Sequence, residues 1–283
     1  MPINILYCEG NSKSIDIRVI RQLLPKECIV HPLGGKTRSF FDSVINDRRI
    51  NPNLAGIVDH DFDCRDIKPI NQPLPCHHQQ IQIGWAWERK EIENYLIDPI
   101  VVQRALQKQA PSSEEYQLAL REAAQKISTY TAARTALSCF NFKNFWGEET
   151  KNQYFPKTYL FPRRLGKETC ETKIREIVDQ YKGDRIVKAE DVIDKFTNLL
   201  DLFHVNGFRF NHYLTFFSGK DLLYAMQDKL RTFGFDSSSS SPLEFFIEKI
   251  VTRMERAENV WDWLPEWQEL RKLIINSSFN SEY

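Results

Sequence analysis

INILYCEG, residues 3–10, sets a short apolar run against an abrupt Glu-Gly, and the arrangement returns at residues 53–59, NLAGIVD, which ends in an acid. Apolar runs of this length, stopped by charge or glycine, read as strands buried on both faces. Between them, SIDIRVIRQLL at 14–24 spaces its apolar residues for one helix face. CIVHPL at 28–33 makes a second strand before Gly34-Gly35, and a helical stretch follows from about Thr37 to Asn46. The order strand, helix, strand, helix, strand argues for an α/β fold, a mostly parallel sheet with helices on both faces and functional residues at the carboxyl ends of its strands. Glu9 and Asp59 fall at two such ends.

Outward from this core, residues 64–80 are rich in Pro, Asn and Gln and read as a loop. IQIGWAW at 81–87 supplies a fourth strand, and ERKEIENYL at 88–96 starts a helix. Beyond Pro99 the character changes: 100–137 and 168–203 carry helical periodicity, and the serine run 237–241 marks a mobile loop before closing helices at about 243–257 and 265–275. The expected organisation is an α/β domain over 1–100 and a mainly helical domain or cap over 101–283. No internal repeat and no long heptad seam is present.

Composition narrows the class. The chain has 283 residues, enough for two ordinary domains, with 42% hydrophobic and 27% charged residues. No segment approaches the roughly 20 apolar residues that cross a bilayer, and the first residues lack the pattern of a secretory signal, so the expected compartment is the cytoplasm, with no membrane partner. With 38 basic and 38 acidic residues there is no global signature of a nucleic-acid binder, and any such binding needs a local patch. Six cysteines without a CxxC pair suggest buried thiols rather than a zinc ribbon or a disulfide framework.

The strongest chemical signal is VDHDFD at 58–63. Alternate residues of an extended strand end point the same way, so Asp59 and Asp61 can share a metal while His60 turns away, and Asp63 extends the set. The same run also makes a solvated turn. Glu9 favours the metal, because neighbouring parallel strands bring such ends close and three converging carboxylates repel one another without a cation. Oxygen-only ligands suit Mg²⁺ or Mn²⁺, which stabilise charge on a phosphate.

These residues in this order resemble a known family. LYCEGNSKS with Glu9-Gly10, HPLGGKT with Gly34-Gly35, and GIVDHDFD with Asp59 and Asp61 look like the TOPRIM domain of topoisomerases, DnaG-type primases and OLD-family nucleases. WERKEIENYLIDP at 87–99 is similar to a segment of OLD-like and stand-alone bacterial defence proteins of the DUF4435 type. The resemblance implies that Glu9 acts near the scissile phosphate as ligand or general base while Asp59 and Asp61 hold Mg²⁺. It also implies that Glu91 or Glu93 adds a ligand for a second ion, with Glu93 preferred. FFSGKDLLYAMQDKL at 216–230 resembles a segment of the same group in which a Gly-Lys pair precedes a helix, so Lys220 is the expected cation for a phosphate oxygen. The expected activity is metal-dependent endonucleolytic cleavage of DNA or RNA by an anti-phage defence effector with an ATPase partner, self-association being a further expectation. A catalytically silent regulatory or nucleic-acid-binding module is the alternative.

Elsewhere, YFPKTYLFPRR at 154–164 interleaves aromatics with Lys157, Arg163 and Arg164, a composition for stacking on bases and pairing with phosphates, although it also suits a packed loop. Lys36, in GGKT, joins them as a candidate nucleic-acid contact. GGKT is not a P-loop, since the position of its first glycine is Val30. Cys76-His77-His78 reads as part of a polar loop, because three adjacent residues cannot wrap a tetrahedral ion. Trp261, Trp263 and Trp267 read as core anchors of the last helices, a partner surface being the other option.

Overall fold

The computed structural model describes residues 2–34, 38–62, 64, 68–149, 160–181, 183, 186–236 and 241–277. The serine run through residue 240 lies outside them. The chain begins with β1 (Ile5–Cys8), α1 (Ile15–Leu23), β2 (Ile29–Pro32), α2 (Arg38–Arg48) and β3 (Leu54–Val58). A hairpin follows, β4 (Leu74–His78) and β5 (Ile81–Ala86), then the short helix α3 (Ile92–Leu96) and α4 (Pro99–Leu106). Next come α5 (Ser113–Cys139), the two-residue strands β6 (Glu148–Glu149) and β7 (Leu160–Phe161), α6 (Lys167–Asp179) and α7 (Ala189–Phe203). The remainder is α8 (Phe208–Asn211), α9 (Tyr213–Phe216), α10 (Gly219–Ala225), α11 (Gln227–Thr232), α12 (Pro242–Met254) and α13 (Pro265–Asn276). The fold is α/β, with a mostly parallel five-stranded sheet and many helices.

The sheet runs β2-β1-β3-β5-β4, and all its pairs are parallel except β4 with β5. β3 is buried along its whole length, as its uninterrupted apolar sequence requires. Leu54 and Val58 pack with Phe40, Val44 and Ile45 of α2 and with Ile83 of β5. Opposite each other in β3 and β5 stand Gly56 and Gly84. A Cβ on Gly84, at φ +153°, would lie 1.9 Å from the Gly56 carbonyl oxygen, and one on Gly56 would press on the Phe40 ring at 3.2 Å. The two glycines let strand and helix approach more closely than any side chain permits.

β4 falls in the stretch expected to be a loop. Its Pro75 misleads, but β4 is an edge strand, where a residue without an N–H costs no ladder bond. The hairpin turns through Gln79 and Gln80, both at positive φ, a geometry normally marked in sequence by Asn-Gly. Cys76-His77-His78 therefore lies in the sheet, with the His78 ring stacked on Phe41 at 5.0 Å. The helix expected from residue 88 begins only at Ile92, and the helical run expected over 100–137 is interrupted between α4 and α5, near Pro111.

The chain forms two compact units, and they do not divide at residue 100. The first is 1–60, 69–110 and 249–283, and the second is 61–68 and 111–248. The C-terminal segment returns to the first unit: the Ile3 N–H donates to the Ile274 carbonyl at 2.9 Å, and Arg271 donates to the Leu23 carbonyl at 3.0 Å. Trp267 is fully buried there, as an anchor of the last helix. Around α5 the second unit packs α6, α7, α8 and α10, and buried Ala119, Ala123, Ala132, Ala133 and Ala136 let them come close. Cys64 and Cys139, expected as free thiols, form a disulfide. They are 75 residues apart, a pairing that only the folding of Phe62 and Cys64 onto the end of α5 reveals. Among the described residues no helix is long and apolar enough to cross a membrane.

Arg48, at the end of α2, is buried and donates to the carbonyls of Leu54, Gln82 and Ile83 at 2.9, 2.6 and 2.5 Å. It supplies donors where β3 and β5 begin. Replacing it leaves those carbonyls without that donor, so Arg48→Met is expected to lower unfolding free energy by about 3 kcal/mol. Urea titration followed by circular dichroism checks this, and a loss near zero would mean that water replaces the guanidinium.

Candidate metal centre

Parallel pairing places Ile5 to Cys8 of β1 beside Leu54 to Ile57 of β3, so both strands end at the same edge of the sheet. Glu9 follows directly after β1, and its Oε1 accepts the backbone N–H of Asp59 at 3.1 Å. The two acids are thus brought together as the register requires. Gly10, at φ +98°, turns the chain at once, and a Cβ there would lie 2.4 Å from Ser14 Oγ. Gly10 and Gly34 exchange backbone hydrogen bonds of 2.7 and 3.0 Å, which join the loops after β1 and β2 and hold Glu9 at the rim.

β3 stops at Val58, so Asp59 to Asp61 stand beyond the ladder. Residues 87–90 secure this exit. Trp87 N–H donates to the Val58 carbonyl at 3.0 Å, and His60 N–H donates to the Lys90 carbonyl at 3.1 Å. His60 Nδ1 lies 2.9 Å from the Glu88 carbonyl, which can only accept, so that nitrogen carries the proton. The ring is thereby turned toward the strap. Asp61 is exposed and opens the segment that belongs to the second unit. Asp63 lies outside the described residues, as do Lys36 and Lys157.

Glu93 sits in α3, whose five residues are all buried. Among the described residues no group of three or more His, Cys, Asp or Glu side chains is arranged to hold a metal. Glu9 and Asp59 are therefore the two acids this structure assembles. Both side chains carry oxygen donors, the kind that hard divalent cations take. Glu91, the other acid considered in that helix start, donates its backbone N–H to Asn94 Oδ1 at 3.2 Å.

No protein-family model matches the chain, and no curated protein matches it. The remaining expected residues lie in the second unit. Lys220 is half-buried in the first turn of α10, where Ser218 Oγ caps the helix by accepting Asp221 N–H at 3.3 Å. Arg163 and Arg164 are exposed. Phe161, one of the aromatics expected to stack on bases, is buried and packs on Tyr224 and Tyr130 with centroids 4.6 and 5.7 Å apart. Its ring is part of a core.

Sequence reasoning missed the polar network behind the strap. Glu266, buried on α13, accepts Glu88 N–H on Oε1 at 2.7 Å and the Tyr95 hydroxyl on Oε2 at 2.6 Å. Arg89, paired with Asp98 at 2.8 Å, donates to the Asn94 carbonyl at 3.1 Å. The Glu88 carboxylate in turn accepts the N–H groups of Ile70 and Asn71. In sequence Glu266 is only an acid after Pro265 at a helix start, like any surface acid favoured by the dipole.

Burial pushes the Glu266 carboxyl up to about 7, against the opposing pull of the Glu88 N–H, the Tyr95 hydroxyl and the Arg89 charge. Burial also raises the Tyr95 hydroxyl well above its ordinary range, with the Glu266 charge adding to it. Because the Glu266 carboxyl holds its proton more tightly in the folded chain, its contribution to stability is full below the ordinary value of 4.5 and is lost as pH rises through about 7. A tenfold gain in proton affinity is worth about 1.4 kcal/mol, so the contribution amounts to about 3 kcal/mol. Unfolding free energies measured at pH 5 and pH 8 are expected to fall with pH in the wild type and to fall less in Glu266→Gln. Equal slopes would show that the carboxyl does not titrate in this range.

Proposed function

We propose that the chain is a metal-dependent endonuclease with a TOPRIM-like first unit, resembling the OLD-family and stand-alone bacterial defence nucleases. The observation that carries this reading is the juxtaposition of Glu9 and Asp59 at adjacent parallel strand ends, joined by the bond from Asp59 N–H to Glu9 Oε1. Two acids at one sheet edge are the arrangement that the Glu-Gly and DxD motifs predict.

In this reading Glu9 and Asp59 would hold Mg²⁺ or Mn²⁺, with Asp61 the further ligand that the motif implies. A bound ion would supply charge stabilisation at a phosphate oxygen and make a water nucleophile more acidic. Glu9, oriented by the Asp59 N–H, serves as ligand or accepts the proton of that water. His60, with its Nδ1 proton on the Glu88 carbonyl, positions the Asp59 backbone instead of reacting. Glu93 and Asp63 as further ligands, Lys220 as a phosphate-directed cation, and Lys36, Lys157, Arg163 and Arg164 as polynucleotide contacts belong to the same proposal. So do a cytoplasmic role in defence, an ATPase partner and self-association.

The second reading is a catalytically silent TOPRIM-like module that binds or regulates another protein or a nucleic acid.

Purified protein incubated with plasmid, single-stranded DNA and total RNA in Mg²⁺ or Mn²⁺ separates the two. The nuclease reading expects cleavage that chelation abolishes and that Glu9→Ala and Asp59→Ala lower at least about 100-fold, with folding preserved. Cleavage unaffected by Glu9→Ala would remove Glu9 from the mechanism, and no cleavage together with no Mn²⁺ binding would favour the silent module.

A further inference from the structure

The strap 87–90 is bonded on two sides. Toward β3, Trp87 N–H holds the Val58 carbonyl, the Lys90 carbonyl holds His60 N–H, and the Glu88 carbonyl holds His60 Nδ1. Asp59 stands between those two held residues, and its own N–H meets Glu9 Oε1. Away from β3, two further N–H groups of the strap lead to one carboxyl. Glu88 N–H donates directly to Glu266 Oε1 at 2.7 Å. Arg89 N–H donates at 3.2 Å to the Tyr95 hydroxyl, which donates to Glu266 Oε2 at 2.6 Å. Every residue in this chain of bonds belongs to the first unit.

Glu266 does not serve its own helix. The start of α13 has no side-chain capping bond, and both Glu266 oxygens are spent outside the helix, on the strap and on α3. At 3% exposure the carboxyl is buried, which costs free energy that an apolar side chain at the same position avoids. An ionised carboxylate offers acceptors in two places and no donor, which is what the Glu88 N–H and the Tyr95 hydroxyl require together. Tyr95 is itself held in place, its ring packed on Trp87 and Trp267 with centroids 5.1 and 6.0 Å away and the Arg89 guanidinium 4.8 Å from its centroid. Arg89 is fixed in turn by its ion pair with Asp98.

We propose that Glu266 is a positioning residue for the Glu9–Asp59 pair, fixing the strap that sets where Asp59 leaves β3; this rests on the metal reading above. Glu266 touches neither acid. It holds residues 88 and 89 still, so the bonds to Val58 and His60 stay in one place and Asp59 is set before a cation arrives. Truncating Glu266 takes these acceptors from the Glu88 N–H and the Tyr95 hydroxyl, and the strap and the Asp59 backbone then move together.

The test uses the full chain and reads Mn²⁺ affinity by electron paramagnetic resonance and amide exchange, residue by residue, by nuclear magnetic resonance. Glu266→Ala is expected to weaken Mn²⁺ binding about tenfold, as loss of a group that orients a ligand does. Exchange at Glu88, Arg89, Asp59 and His60 should rise while β1 and β3 stay protected. Glu266→Gln keeps a carbonyl oxygen for the Glu88 N–H and should recover most of the affinity. Tyr95→Phe removes only the relay from Arg89 and should weaken Mn²⁺ binding less than Glu266→Ala, which keeps the test decisive if the alanine variant does not fold. Wild-type Mn²⁺ affinity in folded Glu266→Ala, or in Tyr95→Phe where the alanine variant does not fold, overturns the positioning role and leaves the metal centre standing. Equal losses in the alanine and glutamine variants, with exchange rising throughout the sheet, reduce Glu266 to a structural residue and overturn it as well. Failure of the wild type to bind Mn²⁺ overturns the metal reading and the positioning role with it.

Discussion

β3 must satisfy two partners and two packed faces at once. It pairs with β1 on one side and β5 on the other, and its five residues are all buried. A strand so enclosed tolerates neither a polar side chain nor a register slip, because a shift by one residue would exchange the faces of every side chain. Other features answer to this constraint. Gly56 and Gly84 allow β3, β5 and α2 to close up, and Arg48 occupies the carbonyls at the strands' beginnings. At the far end the same register delivers Asp59 to Glu9.

Where β3 leaves the sheet, the chain passes from main-chain pairing to a set of less regular restraints. Residues 87–90 take over from the ladder, holding Val58 and His60 through backbone groups, and Glu266 and Tyr95 stabilise that strap from behind. The acidic edge therefore draws on α13, nearly 180 residues away in sequence from the strap it steadies. Burial makes the Glu266 carboxyl costly to ionise, against the pull of the backbone N–H and the tyrosine hydroxyl, and raises its pKa to about 7. Past His60 the restraints change again, to an arginine platform, a serine hydroxyl and a disulfide on α5.

Chemically, two carboxylates at one sheet edge supply oxygen donors of the kind hard cations take. That logic is stronger for Glu9 and Asp59, which the register brings together, than for Glu93, which α3 buries. The aromatic and basic stretch near residue 160 divides in the same way. Phe161 serves a core, while Arg163 and Arg164 are exposed.

The sequence alone determined the α/β class, the first three strands and two helices, and the placing of Glu9 and Asp59 at strand ends. Those features rest on local periodicity and on the rule that parallel strands end at one edge, and both are written in neighbouring residues. Only the tertiary structure decided the rest. β4 was hidden by its proline, harmless on an edge strand, and by a Gln-Gln turn without the usual signature. The return of α13 to the first unit, the burial of Glu266 and the pairing of Cys64 with Cys139 join residues far apart along the chain. Such contacts depend on how finished elements pack, and no window of adjacent residues carries that information.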